Sequence, residues 1–231
     1  MYDKTLLKAE INRITKYIKP GGVIGDIGCG EGEGTLAYSK LGHVFAVDKS
    51  ETRLAMARKR LEGVGNVTFM QGDVLDLRNV PLCDTVISQR LLINLETQSE
   101  QKGALKHLAA LLPTGGRLIL CEGSRDGVDE LNELRMSFNM PEIPVQDFNL
   151  FLKDAVVSRY AKQLGLQEVA RESFGAYFLF TRGIQPFFTK EFDWNSKFNK
   201  YCASEEVQQA FGMDRFSRIK IWVFDKCDPG M

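Results

Sequence analysis

The chain has little with which to hold a metal. Its 231 residues include only two histidines and five cysteines. Cys29, Cys83, Cys121, Cys202 and Cys227 lie far apart, form no CxxC pair and cluster with neither histidine, which argues against structural zinc. An odd number of scattered thiols also argues against a disulfide framework and for a reducing, cytoplasmic compartment. Net charge is lacking too: 30 Lys and Arg balance 30 Asp and Glu, so the footprint of a general nucleic-acid binder is missing. No apolar run approaches the length of a membrane span. The opening "MYDKTLLKAEINR" is charged from its third residue and has no stretch suited to a signal peptide. The expectation is one soluble domain over 1–231, long enough to bury a full core, acting as a monomer or homodimer.

What is present is an alternation of short apolar runs and amphipathic segments. Leu7, Ile11, Ile14 and Ile18 fall at helical spacing and predict a helix over 2–19, ended by Pro20-Gly21-Gly22. Strands follow in "VIGDIG", "HVFAVD", "NVTFMQGD", "CDTVISQ" and "RLILCE". Helices lie between them, one capped by Ser50 and one opened by a Thr97/Glu100 capping box. Val- and Ile-rich strands separated by helices predict an α/β, Rossmann-like three-layer sandwich, with a mostly parallel sheet covered on both faces. After a helix around "DAVVSRYAKQLG", the aromatic-rich "GAYFLFTR" and "IKIWVFDK" predict a closing antiparallel strand pair, making seven strands. The stretches 123–150 and 184–215 read as irregular and long for connections, which suggests acceptor-site insertions.

The most informative run is "GDIGCGEGEG" at 25–34. Its glycines let the backbone approach a ligand closely and take positive φ without Cβ strain. A strand precedes it, a helix follows, and Asp48 ends the next strand, where two carboxylate oxygens suit two ribose hydroxyls. The pattern predicts a nucleoside-containing cofactor. Asp26, Glu31 and Glu33 beside the loop suit a cationic amino-acid portion better than a pyrophosphate. Asp73 follows the third strand, placed to accept from the amine of an adenine.

These motifs resemble those of class I S-adenosylmethionine-dependent methyltransferases. "VIGDIGCGEGEGT" is similar to that family's first motif, "FAVDKS" to its second-strand acid and "GDVLDL" to its third-strand acidic motif. "CDTVISQRLLINL" and "PTGGRLILCEG" are similar to its fourth and fifth strands, and finer features suggest a bacterial small-molecule or glycan branch. The resemblance implies S-adenosyl-L-methionine as cofactor. It implies that Asp26 and the backbone of Ile27, Gly28, Cys29 and Gly30 hold the methionine end. Asp48 would hold the ribose, with Lys49 and Ser50 flanking it. Asp73 and Val74 would hold the adenine, and Gln89 would line the site.

For chemistry, His43 and His107 lie at the wrong end of their elements, so the candidates follow strands four and five: Arg90, Asn94 and, as base or acceptor ligand, Glu122. Cys29 reads as a small packing residue. Arg125, Arg135, Asn149 and Trp194 are expected near the acceptor. The Asn/Asp-Pro-Pro-aromatic motif of adenine-methylating relatives is replaced by "SQRL", and the ligand pattern of magnesium-dependent O-methyltransferases is not evident. The leading expectation is methyl transfer to a hydroxyl of a small molecule or glycan, with no nucleic acid and no metal. The alternatives are an RNA or protein methyltransferase and, in another class, an NAD-dependent oxidoreductase.

Overall fold

The computed structural model describes residues 3–228. Five parallel strands form its first half: β1 (Val23–Ile27), β2 (His43–Asp48), β3 (Val67–Gln71), β4 (Thr85–Gln89) and β5 (Arg117–Gly123). With β6 (Leu166–Ser173) and β7 (Ile219–Lys226) they make a seven-stranded sheet in the order β3-β2-β1-β4-β5-β7-β6. β7 runs antiparallel to both of its neighbours. The order reverses between β1 and β4, and in such sheets a crevice for ligands opens beyond the carboxyl ends of those two strands.

Side-chain alternation sends each strand's residues to two separate cores. On one face Ile24, Val44, Ile87, Ile119 and Val223 meet Leu6, Ile11 and Ile14 of helix α1 (Lys4–Thr15). On the other, Val86, Leu118, Leu120, Trp222 and Phe224 meet Leu105 and Leu108 of α4 (Gln98–Ala110) and Val157 and Ala161 of α6 (Asp154–Gln163). Two covered faces explain why β4, β5 and β7 read as continuous apolar runs. Caps are as the sequence predicts: Ser50 accepts from Arg53 N–H to start α3 (Glu51–Arg60), and Thr97 and Glu100 form the capping box of α4. Asp3 caps α1 by accepting from Leu6 N–H, so this helix is shorter than the 2–19 expected.

The chain departs from expectation in its last third. "GAYFLFTR" is not a strand: it forms α7 (Gly175–Phe178) and a π-helical stretch, Leu179–Ile184, with Thr181 Oγ1 donating to the Tyr177 carbonyl at 2.6 Å. Gly175, Ala176, Tyr177 and Phe178 are all buried, and a short run buried all round has no periodicity to separate helix from strand. The antiparallel partner of β7 is instead the polar "LQEVARES", an edge strand. The stretch 123–150 is irregular only from 138 onward. Ser124 caps α5 (Arg125–Ser137), accepting from Gly127 N–H at 3.0 Å. A Cβ on Gly127 would lie 1.9 Å from the Ser217 carbonyl oxygen, so α5 starts against the entry to β7. The stretch 184–215 carries α8 (Lys197–Cys202) and α9 (Glu205–Phe211). No described helix is long and apolar enough to cross a membrane.

Candidate active site

Gly28 and Gly30 have φ of 80° and 57°, the left-handed region that β1's loop needs to turn into α2 (Glu33–Tyr38). Gly28 and Cys29 N–H both donate to the Val47 carbonyl, which fastens the loop to β2. Asp48 completes the fastening. Its carboxylate accepts from Gly30 N–H at 2.8 Å and from Ser50 N–H at 2.9 Å, linking the loop to the start of α3. Asp26 is buried and accepts from Thr35 Oγ1 at 2.6 Å. Burial lifts its pKa to about 6; the Asp48 charge adds to the rise and the Thr35 hydrogen bond opposes it. Burial, followed by the charges of Asp26 and Asp48, also raises the Cys29 thiol, which fits its expected packing role.

Asp26, Gly28, Cys29, Gly30 and Asp48 share one cavity of about 1100 Å³ with Gln89, Arg90 and Asn94. A volume at the upper end of small-molecule sites leaves room for two ligands side by side. Arg90, at φ 52°, is held by Glu10 of α1, whose carboxylate is fully buried. Arg90 Nε donates to Glu10 Oε2 at 3.1 Å and its Nη2 to Oε1. Gln89 donates to the same Glu10 carboxylate at 2.8 Å and accepts from Tyr38 Oη at 3.2 Å. Asn94 Nδ2 donates to the Arg90 carbonyl.

Glu122 is not in this cavity. It is fully buried and accepts from Ser88 Oγ at 2.8 Å, from Leu91 and Leu92 N–H at 3.0 Å, and from Ile93 N–H at 3.4 Å. Burial raises its pKa to about 7 against the pull of those four donors. The expected base is instead the clamp that shapes the turn carrying Arg90 and Asn94.

Ile27, Lys49, Ser50, Asp73 and Val74 also lie outside the cavity lining. Ile27 and Val74 are core residues. Lys49 pairs with Asp73 at 3.0 Å, and Asp73 accepts from Leu75 N–H, the main cause of its lowered pKa. His107 Nδ1 donates to the Val74 carbonyl at 3.1 Å and His43 bonds Thr68, so neither histidine reaches the cavity.

The lining also includes Phe148, Asn149 and Phe151, Phe178 and Arg182, and Arg218. Trp194 lies 3.8 Å under the Arg182 guanidinium, Arg135 donates to the Pro141 and Arg182 carbonyls, and Arg125 faces a separate cavity of about 230 Å³. Glu10 could have been found as the one acid on the apolar stripe of α1. Arg182 and Arg218 carry no local signal, because strand ends and loops distant in sequence bring them together.

The strand order, the glycine loop and the acid ending β2 define a nucleoside-cofactor-binding α/β domain. A methyltransferase domain family matches residues 24–116. A demethylmenaquinone methyltransferase of Clavibacter sepedonicus is 27% identical over 172 residues, 71% of this chain and 63% of that protein. The ubiquinone/menaquinone biosynthesis C-methyltransferase UbiE of Vibrio cholerae is 28% identical over 150 residues, covering 62% and 56%. The chain thus spans about three fifths of the length of these relatives. The solved structure of magnesium protoporphyrin IX methyltransferase from Synechocystis PCC 6803 with bound SAH superposes with a TM-score of 0.62 at 20% identity, over 97% of this chain and 83% of that one. The chain is thus similar to a methyltransferase domain over residues 24–116 and shares its fold with a methyltransferase solved with bound SAH, likenesses that imply S-adenosylmethionine as the cofactor. The residues present fit that cofactor: Asp26 suits its ammonium and Asp48 its ribose hydroxyls, while Glu31 and Glu33, which also line the cavity, are paired with Arg60. The nicotinamide alternative gives way to the methyltransferase likenesses.

Proposed function

We propose that the chain transfers a methyl group from S-adenosylmethionine to a small-molecule acceptor, a hydroxyl oxygen of a glycan-like molecule being the preferred target. The carrying observation is the single cavity whose lining joins the acidic glycine loop to Arg90, Asn94, Asn149 and Arg218. In this reading Asp26 accepts from the cofactor's ammonium, the Gly28–Gly30 backbone cradles its methionine end and Asp48 holds the ribose. Gln89 borders the site, and the adenine lies toward the end of β3, whose Asp73 and Val74 stand outside the cavity lining. When bound, the cofactor supplies a methyl group on a sulfonium, a good leaving group. The protein's share is then mostly positioning, which can be worth roughly 7–11 kcal/mol of barrier. Arg90 and Asn94 orient the acceptor from the turn that Glu122 clamps. With Glu122 closed off and both histidines elsewhere, a hydroxyl acceptor gives its proton to solvent at the cavity mouth. An oxygen that arrives ionised needs no base at all. The stretch 138–150 belongs to the acceptor side through Gln146, Phe148 and Asn149, whereas no residue of 184–215 lines this cavity.

The test is incubation with methyl-tritiated S-adenosylmethionine and separated small-molecule, RNA and protein fractions of a cell extract. Label should enter the small-molecule fraction. Label confined to RNA or protein would contradict the proposal. A ring-carbon acceptor is the second reading. The names of the quinone-methylating relatives favour it, as does the aromatic wall of Phe148, Phe151 and Phe178. Acid- and base-stable label would mark it.

A further inference from the structure

The arginines of this chain mostly spend their charge on carboxylates. Arg90 is held by Glu10, Arg182 by Asp3 at 2.9 Å, Arg117 by Asp225 at 2.7 Å and Arg60 by Glu33 at 2.7 Å. Arg218 is different. It lines the cavity half-buried, with its guanidinium over the Phe151 ring at 5.3 Å, and it forms no ion pair or side-chain hydrogen bond among the described residues. Burial, then the neighbouring charges of Arg182 and Arg90, lower its pKa, so three cations converge here. Two are neutralised by Asp3 and Glu10, and the third is left uncompensated.

Leaving a guanidinium half-desolvated beside two others costs free energy unless an anion completes it. The planar fork of an arginine is matched by a carboxylate or phosphate, which it can bind bidentately. A ring stacked under the guanidinium fixes its plane, as Phe151 does here. The cofactor has one carboxylate, on the same carbon as its ammonium, and the acids suited to that ammonium line the cavity at the glycine loop. We propose that Arg218 binds an oxyanion, a carboxylate or phosphate borne by the methyl acceptor, so that the acceptor is a small acidic molecule anchored on this guanidinium. The proposal rests on the methyltransferase reading of that cavity.

The test uses the full chain loaded with S-adenosylhomocysteine, titrated at constant ionic strength in chloride with inorganic phosphate, with acetate and with neutral glucose as control. Binding is followed by ligand-observed NMR. Phosphate or acetate should bind and glucose should not; whichever anion binds more tightly names the group. Arg218→Gln should weaken anion binding at least tenfold while leaving S-adenosylhomocysteine affinity within twofold. Arg218→Lys, which keeps charge but loses the fork, should fall between and guards against a folding defect in the glutamine variant. Anion binding equal in wild type and both variants would overturn the proposal, as would no binding of either anion by the loaded wild type. Failure of S-adenosylhomocysteine itself to bind would sink the methyltransferase reading instead. Arg218-dependent phosphate binding in that same sample would still support the anion site.

Discussion

Glu122 illustrates how far a residue's type can be separated from its role. Position at the carboxyl end of β5 suggested a base, yet four donors surround its carboxylate and none of its surface reaches the cavity. The sequence shows the acid and its place on the strand; it does not show that Leu91, Leu92 and Ile93 will turn their N–H groups onto it. The consequence is a pH dependence of stability. Folding raises the Glu122 pKa from 4.5 to about 7, so the fold favours the protonated form. That contribution is complete below about pH 4.5 and is lost as pH rises to about 7. Converted at 1.36 kcal/mol per pKa unit, the effect is on the order of 3 kcal/mol. Thermal unfolding of the wild type should therefore show stability falling between pH 5 and 7.5, and Glu122→Gln should flatten much of that slope. Asp26, raised to about 6 by burial, leaves a smaller residual slope of the same sign. An unchanged slope in the variant would show that Glu122 does not titrate in this range. Asp26 and Asp48, by contrast, were legible because the glycine loop and the strand ends fix them through the backbone itself.

At the scale of elements, strands with apolar cores on both faces were readable to within a residue or two. β2 and β7 match the sequence reading at both ends. Errors fell where tertiary burial replaces periodicity. "GAYFLF" is an unbroken apolar run and became a helix, while the edge strand β6, "LQEVARES", is mostly polar without regular alternation and was overlooked. α5 was legible in principle from Ser124 and from Val128 and Leu131 three apart, but Gly127 disguised it. Least visible was the tie between α1 and the turn after β4. Glu10 is fully buried and receives Arg90 and Gln89 together, so removing it takes the carboxylate from a partly buried guanidinium. Chemical denaturation should find Glu10→Ala destabilised by about 3 kcal/mol, at the lower end for a broken buried pair because Arg90 keeps some solvent contact. Glu10→Gln, which retains the acceptor oxygen, should lose about half as much. Equal stability of wild type and Glu10→Ala would mean that the pair does not hold α1 against the site.

Across the whole molecule, net neutrality is repeated in the cavity, which acids and arginines line together. Asp26, Glu31, Glu33 and Asp48 come from the glycine loop and the ends of β1 and β2, with Arg60 paired to both glutamates. Arg90, Arg182 and Arg218 come from the end of β4, the π-helical stretch and the start of β7. The acids were readable because one continuous segment and two strand ends carry them. The arginines were not, because Arg90, Arg182 and Arg218 come from positions scattered over more than half the chain. The most direct measurement is calorimetric titration of the wild type and Asp48→Asn with S-adenosylmethionine, S-adenosylhomocysteine and NAD. Micromolar-range binding of both adenosyl ligands, weakened at least tenfold by the substitution, with no binding of NAD, is the expected result. Binding of NAD in their place, or adenosyl binding indifferent to Asp48, would contradict the assignment of the glycine loop on which the functional account stands.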